Sequence, residues 1–420
     1  MASPFFTAEQ LHGRLSHQPP AAVSEFLNSH NWPMQDSSSE RVTFAWHQAS
    51  GSSTPDSSHV LMRMNRISDK TNLTRGLMEN VAGTSLWVLT LDLPATLRAS
   101  YGFSAINGPI PQTTPPPGQG PSVLPDPLNP SSCNGWSVYA GPSAAPQPDW
   151  ENSDWENSDW ENSGWQGSGW QGFGSAPAGR HGTKALRFAD HKRKCHFYLP
   201  NHEYCQATNQ PLRLLVLTDA DVWFDGLDLP GALDRAIHRG YLPPLAVVGA
   251  VSTSPRDRRE HLAGNSNFFA DLAHALPRQA VAWADQSGVG VTTGSMVFAG
   301  QSLGGLSGLQ LLMEEPEVFG AIISQSPSLW WTPGEESAPA TWSDRQVDWV
   351  TEKIEQLPVG REKILLSVGQ QEGFSVERVE RLAQVLKHRG WRSSFSIYDG
   401  GHDYAWWRGA LFDALRAVLI

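Results

Sequence analysis

The chain has 420 residues, of which 40% are hydrophobic, and its formal net charge is -11. This length predicts two domains. The acidic balance excludes the basic surface that binds nucleic acid or an anionic membrane.

Membrane and secretion signals are also missing from the sequence. No apolar run approaches the roughly 20 residues of a membrane span, and the N-terminus has no basic-then-apolar signal pattern. The three cysteines are an odd number without metal-ligand spacing, which is typical of a reducing compartment. We therefore expect a cytoplasmic protein with no membrane partner, no nucleic-acid partner and no metal or cofactor of its own.

The first part of the chain, residues 1–125, predicts a small all-β domain. Apolar and polar residues alternate in short runs at 42–46, 60–64 and 87–91, separated by loops rich in Gly, Ser and Pro. Alternation with a period of two indicates antiparallel strands with one buried face. We expect a β-sandwich here.

A segment rich in Pro, Gly and Ser follows at residues 126–182. It contains a five-residue repeat that begins with Asp149-Trp150-Glu151-Asn152-Ser153 and continues through Trp170. The segment has few aliphatic residues to form a core, which predicts a flexible linker. The alternative is a sticky or substrate-stacking arm built from the tryptophans.

The remaining residues, 183–420, predict an α/β domain. Buried strands are indicated by apolar runs at 212–218, 245–251, 296–299, 321–324, 364–368 and 395–398. Helical patterns lie between them, as expected for a mainly parallel sheet with helices on both faces. This is the α/β-hydrolase layout, in which catalytic residues lie on loops at the carboxyl ends of strands.

The candidate nucleophile is Ser302, within Gly300-Gln301-Ser302-Leu303-Gly304. This G-x-S-x-G pentapeptide follows an apolar strand pattern and precedes a helical stretch, the context of a nucleophile elbow. Small residues are needed there because the turn brings the backbone close to itself. The sequence therefore predicts a serine hydrolase.

The candidate general base is His402, which follows the last predicted strand. A serine hydroxyl needs such a base within hydrogen-bond reach. Glu372 follows the strand at 364–368 and is the candidate acid that orients the imidazole. Asp399 and Asp403 are closer to His402 in sequence but awkwardly placed to reach its far nitrogen.

The oxyanion hole requires two backbone N–H groups. Leu303, directly after the nucleophile, is expected to supply one of them. The second is expected from the loop after the strand that ends at Thr218, with Asp221 or Val222 as candidates. An ordinary structural turn is the alternative for this loop.

Charged and aromatic residues also follow strands near the expected site. Arg256 and Arg258 are candidates to bind an acidic substrate, with a solvated loop as the alternative. Trp330, Trp331 and Trp407 are candidates to hold flat rings, although core packing is an equally good explanation of their positions.

Several segments of the chain occur together in one known family. They are GQSLGGLS at 300–307, SQSPSLWW at 324–331, DGGHD at 399–403, WRG at 407–409, LTD at 217–219 with Trp223, VTFAW at 42–46 and DPLNP at 126–130. In this combination the chain resembles the enterochelin (ferric enterobactin) esterases, and the resemblance covers most of its length.

The resemblance implies an N-terminal immunoglobulin-like sandwich and a C-terminal α/β-hydrolase domain. It implies cytoplasmic hydrolysis of a siderophore's serine trilactone, with the iron arriving on the substrate. Arg258 matches the family's loop arginine, and Trp223, in the matched oxyanion region, is a fourth tryptophan that we expect to bind substrate. His261 stands where an acidic residue is expected, and the tryptophan repeat has no counterpart.

Three alternatives remain open at this point. The first is a carboxylesterase of different acyl specificity, for feruloyl-type or simple esters. The second is a protein that binds siderophores without catalysis. The third concerns the catalytic machinery, which would be a Ser–His dyad rather than a triad.

Overall fold

The computed structural model describes residues 4–47, 58–69, 72–113, 121–151, 176–188, 191–208, 210–334 and 348–420. The chain forms two compact units. The first comprises Met1–Pro146, Gly369–Glu372 and Asp399–Trp406, and the second comprises Gln147–Val368, Gly373–Tyr398 and Trp407–Ile420. The tryptophan repeat beyond Glu151 lies outside the described residues.

The first unit contains an antiparallel β-sandwich, which confirms the predicted all-β domain. Its strands are β1 (Met34–Gln35), β2 (Arg41–His47), β3 (His59–Met64), β4 (Glu79–Asn80), β5 (Leu86–Asp92), β6 (Arg98–Ile106), β7 (Ser132–Cys133) and β8 (Trp136–Ala140). They form two four-stranded sheets, ordered β1-β2-β5-β4 and β3-β6-β8-β7.

The sandwich core is aromatic. Phe44 of β2 packs edge-on against Tyr101 of β6, with ring centroids 5.0 Å apart, and both side chains are fully buried. The buried hydroxyl of Tyr101 donates to Oδ2 of Asp126 at 2.6 Å. Burial raises the pKa of both groups, and the hydrogen bond opposes that increase for the Asp126 carboxyl.

Residues 132–140 are strands, whereas the sequence analysis placed them in the linker. β8 pairs with β6 from Ala140↔Arg98 to Ser137↔Tyr101, and Val138 is buried. This strand is only five residues long and is surrounded by Pro, Gly and Ser, so its alternation is too short to be recognised without its partner.

Two helices, which the sequence analysis did not predict, precede the sandwich strands. They are α1 (Ala8–Leu15) and α2 (Pro20–Asn28). Thr7 caps α1 through a reciprocal pair of hydrogen bonds with Gln10. Leu11 and Phe26 contribute the apolar faces of these helices to one buried cluster with Val88 of β5.

The second unit contains a mainly parallel α/β-hydrolase sheet, as predicted. Its strands are β9 (Arg180–Phe188), β10 (His191–Leu199), β11 (Leu212–Leu217), β12 (Leu245–Ala250), β13 (Val291–Gln301), β14 (Phe319–Gln325), β15 (Lys363–Gly369) and β16 (Arg392–Tyr398). The order is β16-β15-β14-β13-β11-β12-β10-β9. Neighbours from β12 to β15 pair in parallel, whereas β9 and β10 are antiparallel.

Helices connect these strands. They are α3 (His202–Ala207), α4 (Leu229–His238), α5 (Pro255–Leu262), α6 (Ser266–Ala270), α7 (Leu276–Asp285), α8 (Leu303–Glu314), α9 (Trp349–Gln356), α10 (Phe374–Arg389) and α11 (Tyr404–Leu419). The buried strands β12 and β14 are almost continuously apolar, as expected for parallel strands covered on both sides. Within the described ranges, no helix combines the length and apolar character needed to cross a membrane.

Asp149 and Trp150, at the start of the first copy of the tryptophan repeat, are packed within the second unit. The buried carboxylate of Asp149 accepts a hydrogen bond from Nε of Arg239 at 2.9 Å, and its carbonyl accepts from Nε of Arg235 at 2.7 Å. The Trp150 ring lies 4.8 Å from the Phe412 ring and 6.1 Å from that of Trp223. This copy therefore has an ion pair and aromatic contacts that composition alone does not reveal.

We expect Trp150→Ala to destabilise the protein by about 2 kcal/mol, because a half-buried aromatic ring loses its contacts with Phe412 and Trp223. The measurement is the midpoint of thermal unfolding. Trp150→Phe keeps a ring in place and is the matched control. An unchanged midpoint for Trp150→Ala would contradict the packing role.

Candidate active site

The predicted strand, turn and helix around Ser302 are present. β13 ends at Gln301, α8 begins at Leu303, and Ser302 lies between them with φ of 58° and ψ of -119°. A positive φ is uncommon for a residue with a side chain and costs about 1–3 kcal/mol where it persists. Such strain concentrates at functional sites, and it is the conformation that a nucleophile elbow requires.

Close backbone packing maintains this turn. A Cβ atom at Gly300 would lie 2.3 Å from the carbonyl oxygen of Gly304, and one at Gly304 would lie 2.2 Å from Oγ1 of Thr218. The Ser302 N–H donates to the carbonyl of Gln325 at 2.9 Å, and the Ser328 N–H donates to that of Ser302 at 3.0 Å. The glycines of the motif are therefore required by space.

The backbone N–H groups predicted to form the oxyanion hole differ in whether they already have an acceptor within the protein. Leu303 is the first residue of α8, and the first N–H groups of a helix have no acceptor within the helix. Val222, in contrast, donates its N–H to the carbonyl of Asp219 at 3.0 Å. Val222 is therefore the less available of the two candidates in that loop, and Asp221, whose N–H is bonded to its own carboxylate, stays a prediction. Burial and the neighbouring carboxylate of Asp219 raise the pKa of the Asp221 side chain.

Arg258 is ion-paired within the protein. Its Nε and Nη2 donate to the two carboxylate oxygens of Asp219 at 2.6 and 2.7 Å, and Asp219 is buried. Asp219 has a positive φ of 53°. Its Oδ2 also accepts from Nε2 of Gln301 at 3.0 Å. The arginine that was expected to bind substrate therefore connects the turn after β11 to the residue preceding Ser302.

Asp219 and Gln301 were not singled out in the sequence. The sequence signal for Asp219 was a carboxylate just after a buried strand, in a loop near a charged helix. A bidentate arginine–carboxylate pair is among the strongest charged hydrogen-bond arrangements in proteins. These contacts fix the loop and the nucleophile turn together.

Arg256 lies on the surface of α5. Its side chain is 83% exposed, and its Nε donates to Oε1 of Glu260 one turn along the same helix at 2.6 Å. This bond lowers the pKa of the Glu260 carboxyl. The pair is an ordinary i,i+4 contact of a solvated helix, which matches the alternative stated for this residue.

One cluster among the described residues has metal-ligand side chains close together. One ligand atom each from His191, Asp257 and His261 lie within 4.8 Å of one another. The Asp257 carboxylate already accepts from both Nη atoms of the buried Arg193, at 2.5 and 2.7 Å. A divalent ion there would have to share this carboxylate with a buried guanidinium. We therefore assign the cluster to the packing of α5.

Three of the four tryptophans predicted to hold substrate rings lie in the core. Trp223 is fully buried, Trp331 packs edge-on against Trp349 at 5.4 Å, and Trp407 donates from Nε1 to Oγ of Ser326 at 2.9 Å. Their faces are covered by protein, so they cannot stack on a substrate in this conformation. Trp330 is half-buried and remains a candidate.

Glu372 and His402 form a close pair within the first unit. Nδ1 of His402 lies 2.5 Å from Oε2 of Glu372, whose side chain is 1% exposed, compared with 26% for the histidine. Oε1 of the same carboxylate accepts from the N–H of Gly369 at 2.9 Å. A buried carboxylate bonded to Nδ1 orients the imidazole and leaves Nε2 as the basic nitrogen.

The two other carboxylates of this loop have different partners. Asp399 accepts from Oγ1 of Thr96 at 2.7 Å and from Nε2 of Gln371 at 3.1 Å. Asp403 accepts from the N–H and the hydroxyl of Ser100, both at 3.1 Å. Glu372 is therefore the carboxylate bonded to the His402 ring, and its role as the orienting acid stays a prediction.

Comparison with known proteins identifies the family. The esterase family model matches residues 187–418, and the model for the N-terminal part of enterochelin esterases matches residues 41–150. An Iron(III) salmochelin esterase of Escherichia coli strain CFT073 is 34% identical over 399 residues, 91% of this chain and 88% of that protein. The chain belongs to the enterochelin esterase family. It is thus an esterase, a carboxylic ester hydrolase.

Other members of this enterochelin esterase family are more distant. An Iron(III) enterobactin esterase of Escherichia coli strain K12 is 27% identical over 403 residues, 91% of this chain and 92% of that protein. The enterobactin esterase of Shigella flexneri, crystallised in the presence of enterobactin, has a TM-score of 0.68 at 23% identity. That likeness covers 90% of this chain and 92% of that chain, and shows a common fold.

We expect Arg258→Ala to lower kcat toward a neutral aryl ester about tenfold or more, because the buried Asp219 carboxylate loses its guanidinium and the turn next to Ser302 is released. The measurement compares steady-state rates on a neutral ester and on an anionic one.

Arg256→Ala is the matched control on the same helix and is expected to retain the wild-type kcat. If Arg258→Ala slowed only the anionic ester, Arg258 would be a substrate contact and the proposed role in holding Asp219 would be wrong.

Proposed function

We propose that this esterase cleaves the lactone bonds of a ferric tris-catecholate siderophore such as enterobactin, with Ser302 as nucleophile and His402 as general base. Glu372 orients the imidazole. The single observation that carries the catalytic assignment is the 2.5 Å contact between His402 Nδ1 and the buried Glu372 carboxylate. The elbow conformation of Ser302 is consistent with it.

The chain order supports these roles. Ser302 follows β13, Glu372 follows β15 and His402 follows β16. Nucleophile, acid and histidine occur in this order in α/β-hydrolases, each on a loop after a strand. The hydroxyl of Ser328 lies 3.4 Å from that of Ser302, but Ser328 is outside the elbow.

The proposed reaction proceeds through an acyl-enzyme. Oγ of Ser302 attacks the lactone carbonyl while Nε2 of His402 takes its proton, and the N–H groups of Leu303 and Asp221 stabilise the oxyanion. The tetrahedral intermediate then collapses, the ester C–O bond breaks, and the serine oxygen of the neighbouring unit leaves with the proton from His402. Water, deprotonated by His402, attacks the acyl-enzyme, the bond to Oγ of Ser302 breaks, and His402 returns the proton to Oγ as the catechoyl-serine acid is released.

The named relatives support a siderophore as substrate. Both curated relatives described above are Iron(III) siderophore esterases by name, and each aligns with 91% of this chain. The match of residues 41–150 to the enterochelin esterase N-terminal model favours this substrate over feruloyl or simple esters. Hydrolysis of the trilactone removes the preorganisation of the chelator, so the iron is held less tightly.

We place this reaction in the cytoplasm. Cys133, Cys195 and Cys205 form no disulfide with one another, and Cys195 is fully buried. Burial raises the pKa of the Cys195 thiol to about 12, so this cysteine is chemically inert. Cysteines that form no disulfide with one another are typical of a reducing compartment.

The direct test incubates ferric enterobactin with the wild-type protein, Ser302→Ala and Ser328→Ala, followed by chromatography. We expect linear trimer, dimer and monomer of the catechoyl-serine with the wild type and Ser328→Ala, and no products with Ser302→Ala. Turnover of methyl ferulate or a simple aryl ester, without cleavage of the siderophore, would keep the esterase and reject the substrate. Tight siderophore binding without turnover would indicate a binding protein.

We expect Glu372→Gln to lower kcat about 10³-fold with little change in KM, because the amide no longer fixes the reactive tautomer of His402. The measurement is steady-state hydrolysis of a neutral ester across pH. Asp399→Asn, in the other candidate acid, is the matched control and is expected to lose far less. A wild-type kcat for Glu372→Gln would favour a Ser–His dyad.

A further inference from the structure

Both backbone polar groups of His402 are bonded to one side chain, that of Asn65. Oδ1 of Asn65 accepts from the N–H of His402 at 2.8 Å, and Nδ2 donates to its carbonyl at 3.1 Å. The amide orientation follows from this pairing, because the opposite orientation would place donor against donor and acceptor against acceptor. Asn65 is thus a two-point clamp on a single residue.

The backbone of Asn65 is held by hydrogen bonds within the sandwich. Asn65 follows β3 directly, and its own N–H donates to the carbonyl of Ser100 on β6 at 3.1 Å. The turn after it is closed by hydrogen bonds from Ile67 and Ser68 to Met64, at 3.1 and 3.0 Å. The side chain of Asn65 therefore starts from a backbone position that paired strands hold in place.

The residues on either side of His402 are also held by the first unit. The buried Asp403 carboxylate accepts two hydrogen bonds from Ser100, and its Oδ1 also accepts the N–H of Ala405 at 2.6 Å. A Cβ atom at Gly401 would lie 2.6 Å from the carbonyl oxygen and from Oδ1 of Asn65. The loop approaches so closely that only glycine fits before the histidine.

We propose that Asn65 is a positioning residue for His402, acting through the histidine backbone. This inference rests on the proposed role of His402 as general base. Glu372 fixes the rotation of the imidazole, whereas Asn65 fixes the backbone from which the side chain projects. Catalytic groups need placement within about 0.5 Å, so both constraints are required for one reactive geometry.

The test compares Asn65→Leu with Asn129→Leu on a neutral aryl ester. Asn129 is a matched control, since it is equally half-buried in the sandwich and donates to Oη of Tyr101 and the carbonyl of Val138, at 3.0 and 2.8 Å. Among the described residues, it makes no hydrogen bond to residues 399–403, the loop that carries His402 (the histidine loop). We expect kcat to fall about 10²-fold for Asn65→Leu, with KM within about threefold, and to stay within about threefold for Asn129→Leu.

A second variant covers the case in which Asn65→Leu does not fold. Asn65→Asp is nearly isosteric and keeps the acceptor for the His402 N–H, but when ionised it has no donor for the carbonyl. At the optimum of each pH profile, its kcat is expected to lie between those of Asn65→Leu and the wild type. Wild-type kcat in either Asn65 variant, or an equal loss in Asn129→Leu, would overturn the proposal.

A spectroscopic readout separates this inference from the proposed function. The proton shared by His402 Nδ1 and Glu372 is expected to give a far-downfield NMR signal in the wild type and in Asn129→Leu, and to weaken or vanish in the Asn65 variants. This signal requires no substrate, so it tests the clamp even if Ser302→Ala retains activity and the catalytic assignment fails. An unchanged downfield NMR signal in the Asn65 variants would contradict the positioning role.

Discussion

The buried carboxylate of Glu372 is the constraint on which the site depends. A carboxylate that is 1% exposed needs a hydrogen-bond donor for each oxygen, and here the donors are the Gly369 N–H and the Nδ1–H of His402. The same bond that satisfies the carboxylate sets the tautomer of the imidazole and directs Nε2 outward. The orientation of the imidazole therefore depends on a contact that also satisfies one oxygen of this carboxylate.

Two loops with proposed catalytic residues are held by side chains from other elements. The turn after β11 is held by Arg258 of α5, and the histidine loop is held by Asn65 at the end of β3. Loops lack the backbone ladders of strands, so their precision comes from such contacts. The strained backbone of Ser302 is possible for the same reason, since its N–H donates to Gln325 at the end of β14 and its carbonyl accepts from Ser328 just after that strand.

Local patterns were sufficient for the fold class and for the turn around Ser302, but not for the contacts around them. The apolar runs predicted β11 to β16, and the G-x-S-x-G context predicted the turn and the helix around Ser302. The direction of a tryptophan ring is not local information, because a ring after a strand can face the core or a cleft, and Trp331 faces the core. The partner of Arg258 is a carboxylate 39 positions away, which its own helix does not indicate. The sequence analysis missed β8 for a related reason, because its pairing with β6 is what identifies it as a strand.

The bond between Asn65 and His402 joins residues separated by 337 positions, and no spacing rule connects them. Under the proposed role of Asn65, part of the histidine's placement is encoded before residue 126. A hydrolase segment alone would retain Ser302 and the sheet, yet it would lack the side chain that fixes the backbone of its proposed base. Relatives that align over nine tenths of this chain, rather than over the hydrolase portion alone, are expected if the sandwich and the histidine loop are constrained together.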